Sequence, residues 1–180
     1  MSAFSSQKKV FLCTVANGRS DMRASDTFGM FVNTMALSGE VGDQKADEFL
    51  KETDRNFATT LSYQNYPFAR VASAFDFHPA VMLAYQVGLI EKYTINGKPL
   101  EDELITQDTP KFPLSIFIEG TEDAPEIALA YDDSLYSEPL VQAFGDALEC
   151  VVRGLLKNGA LTEIPFVDGQ RLQQLDGFNH

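Results

Sequence analysis

The chain has 180 residues, 44% of them hydrophobic and 22% charged, with a formal net charge of -12 and a sequence pI of about 4.5. That length suffices for one domain with a core, or for a large piece of one, and no low-complexity tract suggests disorder. So acidic a surface repels phosphate backbones and anionic lipid, which argues against nucleic acid and membrane as partners, and no apolar run approaches the roughly 20 residues that span a bilayer.

The N-terminus, MSAFSSQKKV, has no apolar stretch behind a basic start and does not read as a secretion signal. Residues 8–16 (KKVFLCTVA) form a β-rich run that ends at Asn17-Gly18, a turn signal. A polar stretch follows to Asp26. Residues 27–37 (TFGMFVNTMAL) are apolar without clean periodicity, and Gly29 and Asn33 interrupt any helix, so an extended segment or loop packed against the body is expected. From Asp43 to about Tyr63 the spacing turns helical: Ala46, Phe49, Leu50, Thr53, Phe57 and Leu61 share one face. Asp43 is the expected N-cap, and Asp47 and Glu48 suit the positive end of the helix dipole. Pro67 opens a second helix, in which Phe68, Val71, Ala72 and Phe75 repeat the spacing, and the Tyr66-Pro67 junction forces a break between the two.

After Pro79 a strand is expected over residues 81–87, then a polar stretch over 90–105 with a hairpin turn at Asn96-Gly97. Phe112, Leu114, Ile116 and Ile118 alternate with other residues and predict a half-buried strand, which residues 126–131 should join across the turn TEDAP. Ser137 is placed to cap a long helix whose stripe runs Leu140, Val141, Phe144, Leu148, Val151, Val152, Leu155 and Leu156, with Asn158-Gly159 as its stop. The tail from Leu161 is a short apolar segment followed by a polar, helix-prone end. Strands bracketing helices predict an α/β or α+β layer architecture.

Familiar catalytic constellations are missing. The two histidines are His78, in a Phe-His-Pro turn context, and the terminal His180. No paired-cysteine spacing or HExxH motif points to a metal, and no glycine pattern is built to cradle a phosphate. The paired acids, Asp132-Asp133 among them, read as solvated loops. Cys13 and Cys150 lie in apolar contexts and are expected to be two buried free thiols, which fits a cytoplasmic protein.

Several segments, in order, resemble the second half of condensation domains of nonribosomal peptide synthetases. Val15-Ala16-Asn17-Gly18-Arg19-Ser20 is similar to the family's strand-then-Gly-Arg segment. Gly29-Met30-Phe31-Val32-Asn33-Thr34 resembles its GxFVNTxxLR motif, with Ser38 where arginine is usual. Residues 63–70, Tyr63-Gln64-Asn65-Tyr66-Pro67-Phe68-Ala69-Arg70, resemble HQxYPFExL, with Tyr63 in place of His and Ala69 in place of Glu. Residues 128–136 (ALAYDDSLY) resemble the approach to the last helix. The tail from Ile164-Pro165 to Phe178-Asn179 is similar to the junction with an adenylation domain. The family's Arg-Asp-Pro-like motif survives only as Asp76-Phe77-His78-Pro79, and its HHxxxDG motif is absent from the chain.

The resemblance implies a chloramphenicol acetyltransferase-like C-terminal lobe over residues 1–163, with 164–180 leading toward an adenylation domain. It implies that about half to three-fifths of such a domain would precede Met1, and that the chain is a fragment inactive alone. Such domains form an amide in a tunnel between two lobes, from substrates on phosphopantetheine arms of two carrier proteins, so no cofactor is expected in this chain. Asn33, Thr34 and Phe31 become candidates for the tunnel or the lobe crossing. Arg19 becomes the candidate ion-pair partner of the motif's missing Asp, to be found exposed or paired with something else. Tyr66, Pro67 and Phe68 become structural anchors. The expected partners are the missing N-terminal lobe, the carrier domains, the adenylation domain and a second copy through uncovered surface. Two other readings stay open: part of a coenzyme A-dependent acyltransferase of the same superfamily, and a carrier-binding module without chemistry.

Overall fold

Two β-rich runs of the N-terminal half pair with each other. β1 (Lys9–Ala16) and β2 (Asn33–Glu40) are antiparallel from Lys9↔Glu40 to Ala16↔Asn33. In this computed structural model residues 1–19, 26–88, 94–96, 98–99, 110–157 and 159–167 are described. β3 (Val81–Tyr85) lies parallel to β1 on its other side, and β6 (Leu114–Thr121) lies parallel to β3. β7 (Ala124–Tyr131) turns back antiparallel to β6 across Glu122-Asp123, giving the order β2-β1-β3-β6-β7. A separate small hairpin joins β4 (Thr94–Ile95) to β5 (Lys98–Pro99) around Asn96, whose φ is 53°. Its Gly97 lies outside the described residues.

Parallel neighbours need crossovers, and helices supply one of them here. After a four-residue N-terminal helix, α1 (Ser2–Ser5), the chain places α2 (Ala46–Ser62) and α3 (Phe68–Phe75) between β2 and β3. α4 (Glu138–Leu155) follows β7. Val81, Leu114 and Ile116 are buried at the core, against Leu12, Leu83, Leu129 and Tyr131 of the sheet and Phe144 and Leu148 of α4. Because side chains alternate along a strand, Cys13, Ala84 and Ser115 belong to the opposite face, and they too are buried. The mixed sheet packed with helices matches the expected fold class.

The details correct several expectations. β6 is not a half-buried strand. It starts at Leu114, beyond Phe112, and its first three residues are buried in a row, as befits a central strand covered on both faces. β3 stops at Tyr85, short of residue 87. Only the end of the apolar stretch 27–37 joins the sheet, as β2, which runs on to Glu40. Lys45, not Asp43, is the N-cap of α2, because Glu48 accepts the Lys45 backbone N–H at 3.3 Å. Ser137 does precede α4, but its hydroxyl makes no capping bond, and Pro139 fills the first turn instead. Both cysteines are free, as expected, but only Cys13 is fully buried. Asn158 and residues 168–180, with the helix-prone tail, lie outside the described residues.

Segment 159–164 ties the helices together. Ala46 N–H donates to the Gly159 carbonyl, and Leu161 N–H donates to the Gln44 carbonyl, each at 3.0 Å. Ile164 packs against Gly154 of α4. Among the described residues no helix is long and apolar enough to cross a membrane.

Candidate functional site

The residues singled out by motif lie at the exit of β1, the entry to β2 and the break between α2 and α3. Asn17 ends β1 in a short turn, its side-chain oxygen accepting the Arg19 N–H at 3.0 Å. Gly18 has φ +66°, and a Cβ there would run into the Phe31 carbonyl. Glycine thus serves two needs, a left-handed backbone and a close approach between the Gly-Arg turn and the Phe-Val-Asn-Thr segment.

Arg19 fastens the same contact. Its guanidinium donates from Nη1 to the Thr27 carbonyl at 2.9 Å and from Nη2 to the Gly29 carbonyl at 3.0 Å. Its Cζ stands 4.6 Å from the Phe31 ring centroid. Hydrogen bonds from a charged donor contribute about 1.5–3 kcal/mol each when sheltered, toward the low end for a half-exposed side chain such as this one. Arg19 is thus bonded to two backbone carbonyls and stacked on a ring. The backbone of residues 27–31 is therefore held from behind, with Phe31 half-buried against Arg19. Along the same stretch Phe28, Met30 and Val32 are 103%, 85% and 49% exposed.

Asn33 joins the second motif to the third. Its Nδ2 donates to the Gln64 and Tyr66 carbonyls, each at 2.7 Å. Those carbonyls lie just past the C-terminus of α2, in the turn that separates it from α3. Pro67 keeps Tyr66 extended and stops α2 from running into α3, so the break exists for Asn33 to grip. The sequence singles out Asn33 but not its partners, which lie 31 and 33 residues away. Backbone acceptors at such a separation leave no mark in residue identity.

Thr34 lines a cavity of about 260 Å³ between β2 and the two helices, facing Thr60, Tyr63, Tyr66 and Val71. Phe68 is also at its wall and meets Phe77 edge-on at 6.3 Å, while Phe77 meets Phe11 of β1 at 6.0 Å. Tyr66 is half-exposed and Phe68 half-buried, so these anchors differ: Phe68 packs, whereas Tyr66 contributes chiefly its carbonyl. Phe77, quoted from the sequence only as part of the Asp76–Pro79 remnant, is the ring that links α3 to β1. The motif remnant beside it, Asp76 and His78, forms an exposed pair at 3.2 Å.

Burial pushes the Cys13 thiol up to about 11, so it stays protonated and unreactive near neutrality. Among the described residues no three His, Cys, Asp or Glu side chains gather as a metal site. The site is a brace of three motifs that presents an apolar strip outward.

Comparison with known proteins meets this geometry. A family model described as Condensation domain matches residues 1–164. Tyrocidine synthase 3 of Brevibacillus parabrevis is 24% identical over 169 residues, covering 89% of this chain and 3% of that protein. Surfactin synthase subunit 1 of Bacillus subtilis (strain 168) is 26% identical over 152 residues, covering 79% of this chain and 4% of its own length. The fold superposes with a TM-score of 0.80 on a four-domain nonribosomal peptide synthetase bound to AMP and glycine, at 16% identity over 94% of this chain and 15% of that one. The starter condensation domain of rhizomide synthetase gives a TM-score of 0.78 at 14% identity, over 93% of this chain and 42% of that one. The chain thus spans 3% and 4% of the first two synthetases, 15% of the four-domain one and 42% of that starter-domain chain.

Proposed function

The chain belongs to the condensation-domain family, and on that premise we propose that it is the C-terminal lobe of a condensation domain in a nonribosomal peptide synthetase, supplying one wall of the amide-forming tunnel but not its chemistry. The observation that carries this reading is the braced strip of residues 27–33, locked by Gly18, Arg19 and Asn33 while Phe28, Met30 and Val32 face outward. A backbone held this firmly with its apolar side chains in solvent is suited to being covered. In this reading the covering element is the N-terminal lobe that carries HHxxxDG. Arg19 is then the residue that meets the motif's aspartate. Phe31, Asn33 and Thr34 shape the lobe crossing, and Tyr66, Pro67 and Phe68 anchor it.

The partners in this proposal are the other lobe, two carrier domains that bring substrates on phosphopantetheine, and an adenylation domain reached through residues 164–180. Residues 1–163 form the lobe itself. The free thiols of Cys13 and Cys150 support a cytoplasmic setting.

The test is amide synthesis from carrier-bound aminoacyl thioesters, followed by mass spectrometry of the released product. The chain alone should give none, and the chain joined to a segment bearing HHxxxDG should give product. Turnover by the chain alone would overturn the proposal, because the reaction would then not need the paired histidines.

A further inference from the structure

A second feature lies at the far edge of the sheet, away from the three motifs. β7 is the last strand in the order, and among the described residues nothing pairs with its outer side. Asp132 N–H donates to the Pro113 carbonyl of the neighbouring strand at 3.0 Å. In an antiparallel pair successive residues alternate in direction, so Ala130, Ala128 and Glu126 face β6, whereas Tyr131, Leu129 and Ile127 turn their N–H and C=O groups outward.

α4 overhangs this edge. Its Asp146, Glu149 and Val152, with Leu156 just past its end and Ile127 and Leu129 of β7, enclose an open groove of about 830 Å³. A further strand would lie about 4.8 Å beyond β7, inside that groove and under the helix. The floor is apolar: Ile127, Val152 and Leu156 are exposed despite their size. The wall is acidic, with Glu138, Asp146 and Glu149 set against Arg153, which is already bonded to Glu149 at 2.6 Å.

We propose that this groove receives an extended segment of a partner polypeptide, alternating basic and small apolar residues, which adds to the sheet as a sixth strand. Backbone bonds to Ile127, Leu129 and Tyr131 supply the pairing. Side chains at alternate positions point into the groove. There a Lys or Arg lays its aliphatic stem over Ile127 and Leu129 and carries its charge to Asp146 and Glu149. A second copy of this chain suits the groove poorly. It brings the same acids on a body of net charge -12, and Pro125 removes the first outward donor from the edge that two copies would share.

The experiment is fluorescence anisotropy of the full chain with a fluorescein-labelled peptide of alternating Lys and Val, of the same eight-residue length as β7. Saturable binding is expected, weakened by salt and absent for the matching Glu-Val peptide. Ile127→Pro deletes an outward N–H without touching the ladder to β6, and should weaken binding about tenfold or more with circular dichroism unchanged. Glu149→Lys, on the exposed side of α4, gives a second reading should the proline variant misfold, and should weaken binding by about tenfold. Equal binding by the Glu-Val peptide, or no loss in either folded variant, overturns the proposal. So does a dimer formed through β7, lost in Ile127→Pro, that the Lys-Val peptide fails to dissociate.

Discussion

The helices α2 and α4 are nearly equal in length, at 17 and 18 residues, and both carry an apolar stripe at helical spacing. Their surroundings differ. α4 buries Val141, Ala147 and Gly154 and sets Phe144 and Leu148 on the sheet. α2 buries only Ala46, while Leu50, Phe57 and Leu61 remain 48%, 40% and 36% exposed. An amphipathic pattern therefore reports that a face is apolar, and says nothing of what covers it. Family membership gives the contrast a meaning: in the proposed whole domain, α4 belongs to the lobe's own core and α2 awaits a neighbour.

Core truncation tests the contrast most severely. Phe144→Ala should cost about 3–5 kcal/mol in urea unfolding, as expected for a large side chain removed from a packed face. Phe57→Ala on α2 should cost under about 1 kcal/mol, because little is lost where little is packed. Equal costs would mean that α2 is as well covered in solution as α4, and the comparison would fail.

The brace between β1, β2 and the α2–α3 break comes next in size. Gly18→Ala combines a left-handed φ with a clash against the Phe31 carbonyl and should cost about 2–3 kcal/mol. Asn33→Ala removes both bonds to the break and should cost about 1–3 kcal/mol. Asn33→Asp sharpens the assignment. Above the ordinary carboxylate pKa it sets a negative group against the Gln64 and Tyr66 carbonyls, so it should be worse than alanine there and recover as the pH falls. An aspartate that is harmless at neutral pH would mean that Asn33 does not act as a donor.

How legible this was depends on how local each signal is. The helices, the β6–β7 hairpin and the Asn17-Gly18 turn follow from spacing and turn chemistry within a few residues, and all three are present. The burial of β6 on both faces was missed. Its alternation is genuine, but Ser115 sits on the second face and reads as solvent-facing until the parallel strand β3 beside it is known. The candidate site was legible as a set of residues and not as an arrangement. Gly18 faces a carbonyl 13 positions on, Arg19 bonds carbonyls 8 and 10 positions away, and Asn33 spans 31 and 33. Each partner is a backbone atom, which every residue possesses, so the motif survives in sequence while the reason for it does not.

The smallest effect on folding belongs to α2, and it decides the most about the contrast. Leu50→Ser with Phe57→Ser removes two exposed apolar side chains from a face that the described residues leave uncovered. Surface changes of this kind leave stability within about 0.5 kcal/mol each, so the urea midpoint should scarcely move. Association should move instead. Uncovered apolar surface favours contact between copies, and the unsubstituted chain is expected to scatter light as a concentration-dependent oligomer despite its net charge of -12. The double variant should shift that equilibrium toward monomer. A monodisperse monomer before any substitution would mean that charge repulsion outweighs the apolar face. The exposed stripe would then be tolerable by itself, and its exposure would cease to argue for a missing neighbour.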